Sequence, residues 1–430
     1  MANKKFSEFT LKTDSANVDF VVGYDGTDNV RIAPSNLSSG GASSLNGLSD
    51  VSVDLTNDSA YLINIPSGLS GATGNLIIGE NAGNALTSQD NVIAIGSNAL
   101  SANNNSSTEN AVFIGKDTGK NMTANVSNST VIGAYAAENS NDLSNGAVIL
   151  GYRALRYGGA TFSVYIGTNA AANNTSQWGY SSVGIGNSVL LNSVTNSSVV
   201  IGQNAQNNGN ANKTVVLGYE GARTVSSDGH ISVGWRAGYS QTSGASNTNV
   251  GYEAGKNNTT GSYNTNLGYQ ALKTNTASNN TAVGYQAGTA ITTGSNNIVI
   301  GYQAAASAVD VSNEITLGDA NIATLRCQVQ TISALSDSRD KTNVQPSTYG
   351  LDLISQLQPV TFDWNMRDGA KVGQKDLGFI AQELQEVDDE NLQLVYDNNP
   401  DRLEASYGRL IPVLVQAIKE LKAEVELLKA

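Results

Sequence analysis

The sequence predicts a mainly β protein, a long shaft of short stacked strands followed by a smaller, charge-rich α+β unit. Three observations lead there. A glycine recurs at intervals of 16 to 19 residues, fifteen times between positions 79 and 318. Only 14% of the residues are charged while glycine numbers 44, a composition foreign to helical enzymes. Finally, 27 of the 61 charged side chains fall within residues 336–430, which places a boundary near 336.

The elements follow in order. Val18 to Val22 and Val30 to Ile32 are β-type runs on either side of Tyr24-Asp25-Gly26, where Asp-Gly is a strong turn signal. They predict a hairpin-bearing module that, with the Ser/Gly-rich linker Ser35 to Ser44, occupies residues 1–45. Residues 46–74 form a short β connector, with strands expected between Leu45 and Ile65. The opening Met1-Ala2-Asn3-Lys4-Lys5 leads straight into an alternating segment. That is not the apolar core of a secretory signal, so synthesis in a cytoplasm without that export route is expected.

Residues 75–320 are the repeat shaft, with a period of about 17 residues. An aliphatic residue precedes the glycine in all 15 repeats, from Ile78 to Leu317, and two positions before it a β-branched residue stands in 14 of 15. Alanine recurs three residues after the glycine in 11. Alternation puts the two apolar positions on one face of a short strand, and the glycine permits a turn that other residues resist. A unit this short cannot bury its own apolar face, so successive repeats must stack on each other or against other chains.

The segment Asn280-Thr281-Ala282-Val283-Gly284-Tyr285-Gln286-Ala287-Gly288 resembles the head repeats of trimeric autotransporter adhesins, and it is also similar to shaft repeats of phage fibres. The resemblance implies a trimeric parallel β-roll or β-helix. One coil per repeat, rising about 4.8 Å, would give roughly 70 Å of rod; a triple helix wound from three chains would be longer. An aromatic follows the glycine at Tyr152, Tyr219, Trp235, Tyr252, Tyr269, Tyr285 and Tyr302. Such a ladder either packs on itself or offers a carbohydrate a stacking platform.

After Gly318 the repeat dissolves. Residues 321–335 are a connector with a strand-like run from Ile322 to Ile332, leading into Ser336-Asp337-Ser338-Arg339-Asp340-Lys341-Thr342-Asn343-Val344. The only histidine, His230, lies in the shaft, so a Ser-His-Asp triad cannot form here. Lysine is the remaining base. A desolvated lysine can lose its proton near neutral pH and activate a serine hydroxyl, which makes Ser336 and Lys341 a candidate pair. Spacing alone is a weak signal.

Its context is stronger. Ser336 to Val344 is followed in order by Pro359-Val360-Thr361-Phe362-Asp363-Trp364, Gly378-Phe379-Ile380-Ala381-Gln382-Glu383 and Tyr407-Gly408-Arg409-Leu410-Ile411-Pro412-Val413-Leu414. Residues 336–430 thereby resemble the intramolecular chaperone domain of endosialidases and other phage fibres. The resemblance implies a Ser-Lys dyad at Ser336 and Lys341 and a self-inflicted cut of the Ser336-Asp337 bond. The acidic run Asp388-Asp389-Glu390 departs from the family's usual turn, away from the dyad. Ser336 attacking its own carbonyl would close a four-membered ring, which bond-angle strain opposes. The attacking group stays open between a serine of a neighbouring subunit and an oriented water. Arg339, Asp340 and Asn343 are candidates to position the loop or an oxyanion.

A final long helix places Ile411, Leu414, Ile418, Leu421, Val425 and Leu428 at alternating steps of three and four, a heptad seam for helices of separate chains. The alternative is an amphipathic helix packed on its own domain; the number three comes from the resemblance. The net charge of −13 argues against nucleic acid or an anionic membrane as partner. No run reaches the roughly 20 apolar residues of a membrane span. Cys327 and His230, each the only one of its kind, read as structural; no metal site and no cofactor is expected.

Together these readings imply a homotrimeric phage tail fibre, assembled in the host cytoplasm and located in the virion. Its N-terminus would meet tail or baseplate proteins, and its shaft or tip a polysaccharide or protein receptor on the host. The alternatives are a tailspike enzyme degrading surface polysaccharide, which needs paired carboxylates in a groove, and a bacterial trimeric adhesin, which predicts a signal peptide and a membrane anchor.

Overall fold

The computed structural model of the chain describes the backbone of four strands before residue 63, and residues 72–430 apart from 144, 174–177, 194, 323, 329–333, 368, 370 and 430. The linker expected at 35–44 lies outside the described residues. The chain divides into two compact units, Met1–His230 and Ile231–Ala430.

In the first unit, Phe20–Tyr24 and Asn29–Ile32 pair antiparallel; the Asp25-Gly26 turn expected between them lies outside the described residues. Val51–Asp54 and Ser59–Leu62 form a second antiparallel pair, and Ser59–Leu62 then pairs in parallel with Leu76–Ile78. From there one three- to six-residue strand per repeat stacks on the next in parallel register, through to Val215–Leu217. A second small parallel sheet joins Asn139–Asp142, Tyr157–Thr161 and Trp178–Tyr180. The second unit continues the rule from Ile231–Val233 to Ile315–Leu317. Consecutive repeats of the same chain are thus hydrogen-bonded neighbours, and each coil is a turn of one chain.

The glycines are needed for close approach as well as for the turn. Gly268 sits at φ +139°, and a Cβ there would lie 2.2 Å from the carbonyl oxygen of Gly284 in the next coil. Two residues on, Gln270 adopts φ 54°, so the turn takes a second left-handed step that an amide side chain tolerates.

The core is not built from the pair of positions that the sequence repeats most strictly. Those residues point outward, and the one between them points in: Val299 is buried between exposed Ile298 and Ile300, and Phe113 lies inside between Val112 and Ile114. The inward position is filled by Ile77, Ala94, Phe113, Val131, Ile149, Tyr165, Val200 and Val216 in the first unit. The repeated alanines, such as Ala82, Ala154, Ala271 and Ala304, complete the interior.

A second interior feature is polar. Asn247, Asn264, Asn280 and Asn297, four residues before successive glycines, are all buried. Each Oδ1 accepts the backbone N–H of the equivalent residue one coil on, at 2.8 to 3.0 Å. Each Nδ2 donates to a carbonyl of the following turn, of Gly261, Ala277, Gly294 and Val311 in order. This ladder satisfies backbone groups that a round coil cannot pair with each other. At the last coil Glu314 replaces asparagine.

Beyond Gly318 the residues described between Ile322 and Gln328 form no strand, unlike the run expected from Ile322 to Ile332; residues 329–333 lie outside the described set. Ile322 and Leu325 are exposed, and an apolar alternating run with no sheet beside it has no partner for its backbone. The remainder is small and mixed. Helix α1 (Leu351–Gln356) precedes an antiparallel pair, Val360–Asp363 with Lys375–Gly378. Helix α2 (Ala381–Gln385), the pair Val395–Tyr396 with Glu404–Ala405, and helix α3 (Leu410–Lys429) follow. Leu353, Leu384, Leu392, Leu394, Leu410 and Val413 form one core.

Candidate functional site

The loop after the shaft is shaped by its own polar residues. Asp337 accepts the backbone N–H of Arg339 at 2.9 Å and so caps a 3-10 turn over Ser338–Asp340. The Arg339 guanidinium closes on the same carboxylate at 2.6 Å; that hydrogen bond, with the backbone one, holds the Asp337 carboxyl below its usual range. The Lys341 N–H returns to the Ser338 carbonyl at 3.3 Å, which reverses the chain and brings the lysine back over the serine.

Lys341 Nζ then lies 2.6 Å from Ser336 Oγ and 3.3 Å from the Ser336 carbonyl oxygen. One ammonium therefore spans the hydroxyl and the carbonyl of the Ser336-Asp337 peptide bond. The second contact has no signature in the sequence, because it depends on the tightness of the turn. Ser336 and Lys341 are both exposed. Arg339 is committed to Asp337 and does not reach the serine. Asp340 and Asn343 are exposed, Asn343 at φ 53°, and neither side chain bonds Ser336 or Lys341 among the described residues.

The acidic run has local work. Asp388 accepts the N–H groups of Asp389, Leu394 and Val395, and Asp389 those of Asn391 and Leu392 together with the Tyr349 hydroxyl. The carboxylates hold the turn that delivers Leu392 and Leu394 to the core.

Helix α3 presents two apolar faces. Pro412 is accommodated in its first turns, where the missing N–H breaks no internal bond, and the Ala, Leu, Glu and Lys that follow favour helix. Leu410, Val413 and Ala417 are buried, and Glu420 accepts the N–H of Leu351 at the start of α1 at 2.6 Å. The heptad positions Ile411, Leu414, Ile418, Leu421, Val425 and Leu428 are instead all exposed. The helix packs on its own domain with one face and leaves the seam uncovered.

Five of the seven aromatics make one stack: Trp235, Tyr252, Tyr269, Tyr285 and Tyr302, with centroids 4.6 to 5.2 Å apart and planes within 11°. Their faces cover one another, so ring edges rather than faces meet solvent, and a sugar ring gains no platform along the stack. Tyr152 meets Tyr135 edge-on at 5.8 Å. His230 is buried beside Ser227 Oγ at 3.0 Å, and Cys327 is exposed.

A cleft of about 910 Å³ lies between the last coil and the Tyr396–Ser406 segment, lined among others by Glu314, Asp319, Arg402 and Glu404. Burial alone would raise the Glu314 carboxyl, but hydrogen bonds from Ser307, Thr316 and Tyr396 outweigh it and hold it below its ordinary value. A general acid for glycoside cleavage needs the opposite shift.

Residues 336–393 match a family model described as the chaperone of endosialidase. The match begins at Ser336, includes Lys341, and ends before the Tyr407 to Leu414 motif and α3. No curated protein and no solved structure matches the chain.

Proposed function

We propose that residues 336–430 are an intramolecular chaperone that brings three copies of the chain together, and that is then cut from them at the Ser336-Asp337 bond. The observation that carries this is Lys341 Nζ standing over both Ser336 Oγ and the adjoining carbonyl oxygen, inside the segment that matches the chaperone family.

The chemistry follows from that placement. Lys341 takes the proton of an oxygen nucleophile as that oxygen adds to the Ser336 carbonyl carbon; the carbonyl oxygen gains the negative charge, and the ammonium so formed donates to it. Collapse breaks the C–N bond, the Lys341 proton passes to the Asp337 nitrogen, which leaves as an amine, and where the attacker is a serine a water then hydrolyses the ester to free the Ser336 carboxylate. The strain of a four-membered ring opposes attack by Ser336 on its own carbonyl. A serine of another copy or a water held by Ser336 and Lys341 takes that role. In a lone chain the loop is exposed and water solvates the ammonium. A base needs that hydration removed, and a second copy laid over the loop would remove it. Cleavage is therefore coupled to assembly.

The open seam of α3 is where the copies meet. Fifteen similar repeats pose a register problem, since slipping one chain by about 17 residues restores nearly the same apolar pattern. Joining the chain ends first fixes the register. Cutting the anchor away afterwards leaves the shaft held by its unfolding barrier.

In this reading residues 1–45 attach to the virion through tail or baseplate proteins, 46–74 connect, 75–320 are the shaft, and 321–335 lead to the cut. The product is a bacteriophage tail fibre that meets a host-surface receptor; attachment rests on fold-level analogy. A polysaccharide-degrading tailspike needs paired carboxylates in a groove, and the shaft is poor in acidic residues; the adhesin reading rests on the repeats alone. The test is Ser336→Ala and, separately, Lys341→Ala. Each variant should assemble and stay uncut, whereas the parent releases a fragment of roughly 10 kDa. Release of that fragment by either variant removes the dyad.

A further inference from the structure

The fifth residue before each of the fifteen repeat glycines holds a positive φ, from Gly74 at 70° to Asn313 at 64°. Nearly all of these residues are exposed, so in each unit they make a column on the outside of the coils. Twelve are Asn, Gly or Ser, short residues suited to that backbone. Phe162 in the first unit and Tyr263 in the second stand at the same repeat position with φ 51° and 59°, and each is 65% exposed. Both positions combine a backbone strained for a bulky residue with an aromatic ring in water. Neither ring fills the interior or meets another ring among the described residues. Strain of this kind persists where the surrounding fold enforces it, and it clusters at positions that hold a ligand.

Elsewhere the column pairs with itself. Asn296 Nδ2 donates to Asn313 Oδ1 at 2.7 Å, and Asn91, Asn110 and Asn128 are chained in the same way at 3.2 and 3.3 Å. Tyr263 interrupts that pairing. Its N–H bonds the Ala245 carbonyl one coil back, and the Asn279 N–H bonds the Ser262 carbonyl from one coil on, so Ser246 and Asn279 are its neighbours in the column. Both are exposed. Among the described residues neither side chain makes a hydrogen bond, and neither does the Tyr263 hydroxyl. An exposed ring is thus bracketed by a hydroxyl and an amide that nothing else engages.

We infer that Tyr263 is a stacking platform for a neutral pyranose ring of a host-surface saccharide, and that Phe162 is a second such platform on the first unit. The site rests on the receptor reading proposed above and gives that receptor its chemistry. A pyranose presents a face of C–H groups and a rim of hydroxyls. The aromatic face takes the first, and the Ser246 hydroxyl and Asn279 amide take the second. The column neighbours of Tyr263 carry no ring, so they do not cover it as the rings from Trp235 to Tyr302 cover one another. From Ser246 to Asn313 the column holds no charge, so it selects no ionic partner. A lone ring between polar groups is also far smaller than the roughly 800 Å² a protein partner covers.

The experiment uses the full chain and saturation-transfer NMR with three probes: methyl β-galactopyranoside, methyl α-glucopyranoside and methyl N-acetyl-β-glucosaminide. A double variant, Phe162→Asn with Tyr263→Asn, restores the residue the column ordinarily holds. The parent should transfer saturation to at least one glycoside, and the double variant at least about fivefold less. Its Tm should equal or exceed the parent's, because the backbone strain is relieved. Phe162→Tyr with Tyr263→Phe keeps both rings and should hold the transfer within about twofold. No transfer from any of the three, or equal transfer in parent and double variant, overturns the platform. So does a double variant that melts lower or no longer assembles, since the rings are then structural. A gel of the same samples shows the roughly 10 kDa fragment. The fragment without transfer keeps the cleavage reading and removes the platform, and transfer without the fragment does the opposite.

Discussion

Asn280 is the buried residue whose loss should weaken the second unit most. Its Nδ2 donates to the Gly294 carbonyl at 2.8 Å, and its Oδ1 accepts the backbone N–H and the Nδ2 of Asn297 at 3.0 and 3.1 Å. Asn280→Leu keeps the number and branching of the side-chain heavy atoms and leaves a carbonyl and an N–H buried without partners. Each such group costs about 1–3 kcal/mol, so the two cost about 2–6 kcal/mol. With about 1.4 kcal/mol per factor of ten, amide exchange in the coils from 264 to 300 should quicken by at least roughly thirtyfold. Hydrogen exchange read by mass spectrometry on the uncut Ser336→Ala chain measures this directly, with peptides from 76 to 114 as the internal reference. An acceleration below about threefold at 264–300 would refute the role given to the asparagine ladder.

Two further outcomes are expected. Ile418→Asp alters only the exposed seam of α3, since Leu410, Val413 and Ala417 make the packed face. Light scattering should show it no longer assembles, and a gel should show cleavage slowed at least about tenfold; a monomeric variant cutting at the parental rate would break the coupling. Glu253 is a pH-sensitive group of the shaft. Burial alone would raise its carboxyl, but hydrogen bonds from Lys256, Lys273 and Gln270 outweigh it and hold the pKa at about 2 against an ordinary 4.5. The folded value is the lower one, so this stabilisation is complete above the unfolded value and is lost as pH falls from 4.5 through about 2. Thermal unfolding at pH 6 and pH 3 should show a smaller gap for Glu253→Gln than for the parent; equal gaps would contradict the assignment.

The period of the shaft was legible because glycine, aliphatic and β-branched residues recur together. Which face of the strand turns inward was not. Alternation assigns Ile298 and Ile300 to one side and Val299 to the other without saying which side holds the core, and strict recurrence is as good a sign of an interface as of an interior. The asparagine ladder had a signal, Asn247, Asn264, Asn280 and Asn297 at steps of 16 and 17. Asparagine between strands ordinarily reads as turn, and only the stacking of coils turns its amide into an interior partner. Ser336 and Lys341 were found through the motifs around them, while the reach of Lys341 to the carbonyl depends on Asp337 capping the turn. The described residues between Ile322 and Gln328 make no strand, because alternation describes a side-chain pattern and cannot supply a neighbouring strand.

A cut between Ser336 and Asp337 is read in the intact mass of the purified chain after assembly. Two species are expected, one ending at Ser336 and one beginning at Asp337 and running to Ala430. A single species with the mass of all 430 residues, in an assembled sample, would contradict it.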